Sequence, residues 1–155
     1  MRALILSILL AGGAAASVHA ESFTFTSTST VANMVVAENP GGPPVVAVFV
    51  TGPSQTTYAS GKKGTNTFSC ASWSATPGSI FKVYGACTFV DQNGDKASII
   101  SGCDYANKDQ TEQDCWGGLT GLSGSVAGKT GTMSWHSVNN KDGKTGGASG
   151  TGQWN

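Results

Sequence analysis

Short runs of β-branched and aromatic residues recur along this chain, separated by clusters of Gly, Pro, Asn and Asp. After residue 20, no window spaces its apolar residues at the 3.6-residue period of an amphipathic helix. Runs of this kind, bounded by turn residues, predict β-strands. The predicted strands are Ser22–Thr30, Val45–Thr51, Asn66–Trp73, Ile80–Val90, Lys96–Ser101, Cys115–Leu119, Gly124–Ala127, Thr130–Ser137 and Ser149–Trp154.

The fold class predicted from these runs is all-β, an antiparallel meander of about eight or nine strands that closes into a barrel or a sandwich. The length of 155 residues fits one domain. The 22 glycines and only 18 charged residues (9 Lys+Arg, 9 Asp+Glu) oppose a helical bundle. An apolar content of 39% is enough to bury a core.

Residues 1–20 have the pattern of a secretory signal peptide. Met1-Arg2 is a short positive start, Ala3 to Ala16 carries no charge, and Val18-His19-Ala20 forms a small-residue cleavage site before Glu21. The alternative is an uncleaved anchor helix, for which the segment is short. We therefore predict a single β-barrel domain over 21–155, secreted or periplasmic, with no membrane span after signal cleavage.

The charge of the chain limits its partners. Its formal net charge is zero, and its only arginine is Arg2. Nucleic-acid binding depends on clustered positive charge, so we expect no nucleic-acid partner.

The four cysteines, Cys70, Cys87, Cys103 and Cys115, all follow the signal segment. An even number of cysteines in an exported chain predicts two disulfides, which four cysteines can form in three ways. No pair has CxxC-like spacing, and His136 is the one histidine beyond the signal, so we expect no metal site.

Turn positions favour one pairing. A hairpin turning at Pro77-Gly78-Ser79 places Cys70 opposite Cys87 and Trp73 opposite Tyr84. The remaining pair, Cys103–Cys115, then closes a polar loop.

A second turn argues against the rival Cys87–Cys103 bond. If the next hairpin turns at Asn93-Gly94, Cys87 faces Ile100, whereas Cys103 faces Tyr84 on the other side of the sheet.

The last third of the chain repeats a Gly-Thr-x-x-Trp pattern, at Gly131–Trp135 and at Gly150–Trp154. The two copies are separated by about the length of one hairpin. This spacing predicts that Trp135 and Trp154 return at similar places on successive strands. Glycines in strands allow the sharp coiling that a small barrel needs. A phosphate cradle is the alternative, but no Gly-rich loop here opens onto a helix.

The last third also repeats Gly-Thr-Gly and Gly-x-x-Gly segments. With the Cys87-x-x-x-Asp91-x-x-Gly-Asp95 hairpin, this pattern resembles small secreted bacterial barrels, whose segments look like those of allene oxide cyclase and dirigent-type (calycin-like) barrels. The resemblance covers about Phe68–Trp154. It implies an eight- or nine-stranded antiparallel barrel with an interior pocket, and it brings no catalytic residues to this chain.

Four aromatic residues are candidates to line such a pocket: Trp73, Tyr84, Trp116 and Trp135. The alternative is that they only fill the core. His136 is a candidate general base, and Ser134, Ser137 and several acids could supply the nucleophile and the orienting carboxylate, but nothing in the sequence brings these groups together.

Six of the nine acidic residues cluster in one region, and we interpret them as solvated hairpin tips rather than as a Ca²⁺ site. They are Asp91, Asp95, Asp104, Asp109, Glu112 and Asp114.

Three functions follow from these observations. The first is an exported barrel that binds a small apolar molecule, without a cofactor. The second is an isomerase or cyclase that uses the pocket as a mould, which requires His136 or an acid to point into the cavity. The third is a structural or interaction protein whose uncharged Ser/Thr/Gly surfaces contact glycans or proteins.

Overall fold

The structure is a computed structural model that describes residues 20–155. Within that range the chain forms eight β-strands and one short 3₁₀ helix. The strands, numbered β1 to β8, are Glu21–Ala37, Val45–Tyr58, Lys63–Ser74, Val83–Asp91, Lys96–Tyr105, Glu112–Gly121, Thr130–Asn139 and Thr145–Trp154. The predicted signal peptide, apart from Ala20, lies outside the described residues. None of the helical segments in residues 20–155 has the length and hydropathy needed to cross a membrane.

Each strand pairs antiparallel with the next, and β8 returns to pair with β1. The predicted meander is confirmed, and it takes the form of a closed eight-stranded barrel. β1 and β2 are the longest strands, at 17 and 14 residues. Pairing with β8 ends at Thr30, so residues 33–37 of β1 pair only with β2. Pairing of β2 with β3 begins at Ala47, so the hairpin end, residues 33–46, extends past the wall, and we call it the β1–β2 arm.

One end of the barrel is filled by a hydrophobic core. Successive side chains of a strand point to opposite faces, so every strand sends alternate residues inward. The buried residues of this core, which we call the floor, are Phe23, Phe25, Ile99, Leu119, Met133 and Trp154. Ile99 is the most deeply buried, with 1% of its surface exposed.

The two Gly-Thr-x-x-Trp repeats lie on neighbouring strands, β7 and β8. The prediction that their tryptophans return at similar places is wrong, because the strands run antiparallel. Gly131 pairs with Trp154, and Trp135 pairs with Gly150. Each tryptophan thus lies across from the glycine of the other repeat, and a Cβ at Gly150 would overlap Trp135.

Both predicted disulfides are confirmed. Cys70 is bonded to Cys87, and Cys103 is bonded to Cys115. Each bond joins residues that lie directly opposite each other on adjacent strands. All four side chains point into the barrel, where they border the interior cavity.

The turn between β4 and β5 differs from the prediction by one residue. Cys87 faces Ile99 rather than Ile100, and Cys103 faces Val83 rather than Tyr84. The Asp91 carboxylate accepts hydrogen bonds from the backbone N–H groups of Asn93 (2.7 Å) and Asp95 (2.9 Å).

Gly94 has a φ of +86°, so the loop has three residues and ends in a left-handed glycine rather than forming a two-residue turn. Cys87 and Cys103 therefore share the inner face. They are kept apart by their distance along the strands, and not by pointing to opposite faces of the sheet, as the sequence suggested.

The predicted strand Gly124–Ala127 is wrong. Gly124–Val126 forms a single 3₁₀ turn between β6 and β7. The Asp95 carboxylate accepts 2.7 Å hydrogen bonds from both the backbone N–H and the hydroxyl of Ser125, which holds the turn against the barrel end.

Candidate functional site: an interior cavity open at one end

Above the floor, the barrel contains a cavity of about 490 Å³. It opens at the end opposite the floor, where the exposed residues Asn140, Lys141 and Gly143 border it. Met34 and Val46 of the β1–β2 arm line one side of this mouth. The volume falls within the range of about 300–1,000 Å³ that is typical of sites for small molecules.

The wall of the cavity is largely apolar. Its apolar residues are contributed by most of the strands and include Val48, Val50, Phe68, Val83, Phe89, Ile99, Met133 and Trp135. The two disulfides form part of the same wall. A molecule bound here would transfer apolar surface from water, which is the main favourable term in such binding.

Serine hydroxyls are spread over this apolar wall. The serines that border the cavity are Ser27, Ser29, Ser54, Ser72, Ser74, Ser101 and Ser137. Ser101 donates to the Gly85 carbonyl (3.3 Å), and Ser27 donates to the Ala148 carbonyl (3.5 Å). Each hydroxyl keeps acceptor capacity, so the wall offers uncharged hydrogen-bonding positions to a ligand.

No acidic residue and no histidine of the described chain lines the cavity, and Lys141 at the mouth is its one charged residue. Tyr105 also lies on the cavity wall, and burial raises the pKa of its phenol above the ordinary value of 10.0. The phenol is therefore neutral at physiological pH and keeps its proton as a hydrogen-bond donor.

Of the four aromatic residues predicted to line a pocket, Trp135 lies on the cavity wall. Tyr84 and Trp116 alternate with inward-facing neighbours and so lie on the outer face of the barrel. Trp73 touches the rim of the cavity, but its ring is stacked on that of Tyr84, with centroids 6.3 Å apart. The structure therefore brings Trp73, Tyr84 and Trp116 together outside the cavity.

His136 lies on the outer face, between two carboxylates. Its Nδ1 is 2.8 Å from Oδ1 of Asp114, and its Nε2 is 3.5 Å from Oε2 of Glu112. Ser134 instead hydrogen-bonds Thr151 (3.3 Å), and Ser137 lines the cavity. His136 has an orienting carboxylate but faces away from the cavity, so it does not meet the condition set for a cyclase.

The sequence suggested that the clustered acidic residues lie at hairpin tips, but not all of them do. Asp91 and Asp95 do hold the ends of turns, whereas Asp104, Glu112 and Asp114 lie on β5 and β6. Among residues 20–155, no group of three or more His, Cys, Asp or Glu side chains is placed to hold a metal ion.

The cavity serines were not predicted from the sequence. Their signal is alternation: along β1, Phe23, Phe25, Ser27 and Ser29 are the alternate residues on the cavity side, and the residues between them are outward-facing threonines. A period of two that separates serine from threonine is easily overlooked, because both count as polar.

No protein-family model matches this chain, and no curated protein matches it at a significant level.

Proposed function

We propose that this protein is an exported carrier that holds a small, uncharged and largely apolar molecule inside its barrel. The observation that carries the proposal is the cavity, which joins an apolar wall to scattered hydroxyls and has no acidic lining residue. A charged ligand would lose its hydration there without a partner of opposite charge, except at Lys141 in the mouth.

Export is part of the proposal. It is supported by the two disulfides, which persist in oxidising compartments, and by the signal-like pattern of residues 1–20. Relationship to allene oxide cyclase and dirigent-type barrels is likewise proposed, and the closed antiparallel barrel with an interior pocket is compatible with it.

The test compares two variants at neighbouring positions, one that fills the cavity and one that adds the same bulk outside it. Val48 points into the cavity, whereas Phe49 next to it is exposed on the outer face. Val48→Trp and Phe49→Trp therefore add bulk to the same strand on opposite faces. A neutral apolar dye whose fluorescence rises in apolar surroundings is titrated into each variant.

We expect Phe49→Trp to bind the dye like the wild type and Val48→Trp to bind it at least about tenfold more weakly, because the added ring displaces the ligand. Circular dichroism confirms that each variant is folded. Equal dye binding by both variants, or no dye binding by the wild type, would refute the carrier function.

A further inference from the structure

A row of aromatic side chains crosses the outer face of β3 to β6. The Trp73 and Tyr84 rings are nearly parallel, Phe81 meets Tyr84 edge-on at 5.9 Å, and Phe81 is nearly parallel to Trp116 at 6.3 Å. Trp73 and Trp116 remain 42% and 48% exposed. Exposed apolar side chains grouped in this way mark interaction sites on soluble proteins.

Trp116 is held in place by its neighbours. Phe81, from the segment before β4, lies over Gly102 of β5, where a Cβ atom would overlap its ring. The glycine thus makes room for Phe81, and Phe81 supports one side of the Trp116 ring. A side chain fixed before binding loses little conformational entropy when a ligand arrives.

Trp116 also borders a shallow groove that crosses β6, β7 and β8 and reaches the start of β1 and the end of β2. The strand register places Ser134 and Thr151 in line with Trp116, and Thr132 and Gln153 in line with Gly118. Partners across strands share a face, so these side chains all point outward together with Trp116.

The floor of the groove is open and uncharged. An added Cβ at Gly118 would meet nothing within 4 Å, and the hydroxyls of Ser134 and Thr151 lie 3.3 Å apart. No Asp, Glu, Lys, Arg or His is among the described residues that line the groove. The site therefore joins the Trp116 ring, with Tyr58 and Phe23 also in the lining, to hydroxyl and amide groups of β7 and β8.

We propose that this groove binds the chain of a neutral polysaccharide. A sugar ring presents C–H groups on its face and hydroxyls at its edge, which match the Trp116 face and the Ser/Thr/Gln floor respectively. An anionic membrane surface would need the basic residues that the groove lacks.

The experiment measures retention of the purified protein by cellulose, chitin, xylan and starch, with alginate as a charged polysaccharide for comparison. Trp116→Ala removes the aromatic wall. Gly118→Val fills the groove at a position where the fold has space, and valine is favoured in strands. Ile80→Ala, which removes another exposed apolar side chain, is the matched control.

We expect at least one neutral polysaccharide to retain the wild type and Ile80→Ala equally. Trp116→Ala should weaken retention by about tenfold or more because it removes a stacking contact. Gly118→Val should have an effect of the same size because it blocks the groove. If Trp116→Ala proves unfolded by circular dichroism, Gly118→Val alone decides.

Three results overturn the proposal: no retention by any neutral polysaccharide, retention by alginate alone, or retention unchanged in Gly118→Val. Dimerisation that Trp116→Ala abolishes, without retention, would assign the face to a second copy instead. The cavity and the groove lie on opposite faces of the wall, so the dye and polysaccharide experiments can fail independently.

Discussion

The inner and outer faces of the β3–β6 wall each carry a group of aromatic and aliphatic side chains, yet only the inner group is largely buried. Between β3 and β4, Phe68 meets Phe89 inside with ring centroids 6.2 Å apart, and Trp73 meets Tyr84 outside at 6.3 Å. On β5, Ile99 is 1% exposed, whereas Ile100 beside it is 74% exposed. The residues compared are chemically similar but lie in opposite environments.

Apolar residues therefore serve two purposes in this wall. Inner side chains leave water when the chain folds, so they contribute to stability whether or not a ligand is present. Outer side chains stay in contact with water and gain that contribution only when something covers them. Substitutions that look alike in the sequence should therefore differ sharply in their effect on folding.

The largest expected contrast lies between the two isoleucines. Ile99→Ala leaves a void in the floor and is expected to lower the free energy of unfolding by about 2–5 kcal/mol. Ile100→Ala should change it by less than about 0.5 kcal/mol. Urea denaturation followed by circular dichroism measures both, and equal effects would mean that the assignment of inner and outer faces on β5 is wrong.

The next contrast uses the disulfides, which lie on the inner face. They close segments with sequence separations of 17 and 12, so by the chain-entropy estimate each contributes up to about 3 kcal/mol. We expect reduction to lower the melting temperature by several degrees while the barrel stays folded at room temperature.

The matched comparison for this effect is between two double variants that cross the same pair of strands. Cys70→Ala/Cys87→Ala should be less stable than Trp73→Ala/Tyr84→Ala, which changes only the outer face. If reduction abolished dye binding with an unchanged circular dichroism spectrum, the cysteines would instead have a redox role.

The smallest effect concerns alkaline pH. Burial raises the pKa of Tyr105 above 10.0, so the folded protein holds this proton at a pH at which the unfolded chain loses it. The stability that results is fully present below pH 10 and decreases as the pH rises through the pKa of the folded state.

Melting temperatures recorded between pH 8 and about pH 11 should therefore fall less steeply for Tyr105→Phe than for the wild type. Tyr58, whose pKa is raised by burial and by the nearby Glu21 and Asp91 carboxylates, provides the second variant, Tyr58→Phe. Identical slopes in all three proteins would show that neither phenol is buried enough to matter.

Turn chemistry predicted much of the fold, because each turn is a local event. Pro77-Gly78-Ser79 gave the correct register for the Cys70–Cys87 bond, and the strand spacing gave the meander. The Asn93-Gly94 turn was misjudged by one residue, since the Asp91 carboxylate stabilises a longer loop.

The candidate site was harder to predict for a related reason. Because Ile99 and Ile100 are both apolar, hydrophobicity could not show which of them faces inward. The same ambiguity led Trp73, Tyr84 and Trp116 to be predicted as pocket residues. Which face of a strand is the inner one depends on closure of the barrel, and closure is a property of all eight strands together.

That closure depends on one strand pairing between distant parts of the chain. Seven of the eight strand pairings join consecutive strands, whereas β1–β8 brings Glu21 against Trp154. The entropy lost in joining two segments grows with the length of chain between them. We therefore expect this seam to be the slowest pairing to form and the first to open. In hydrogen exchange, the amides of the β1–β8 seam should then lose protection before those of the β4–β5 hairpin, and the cavity would become accessible from the side rather than through its mouth.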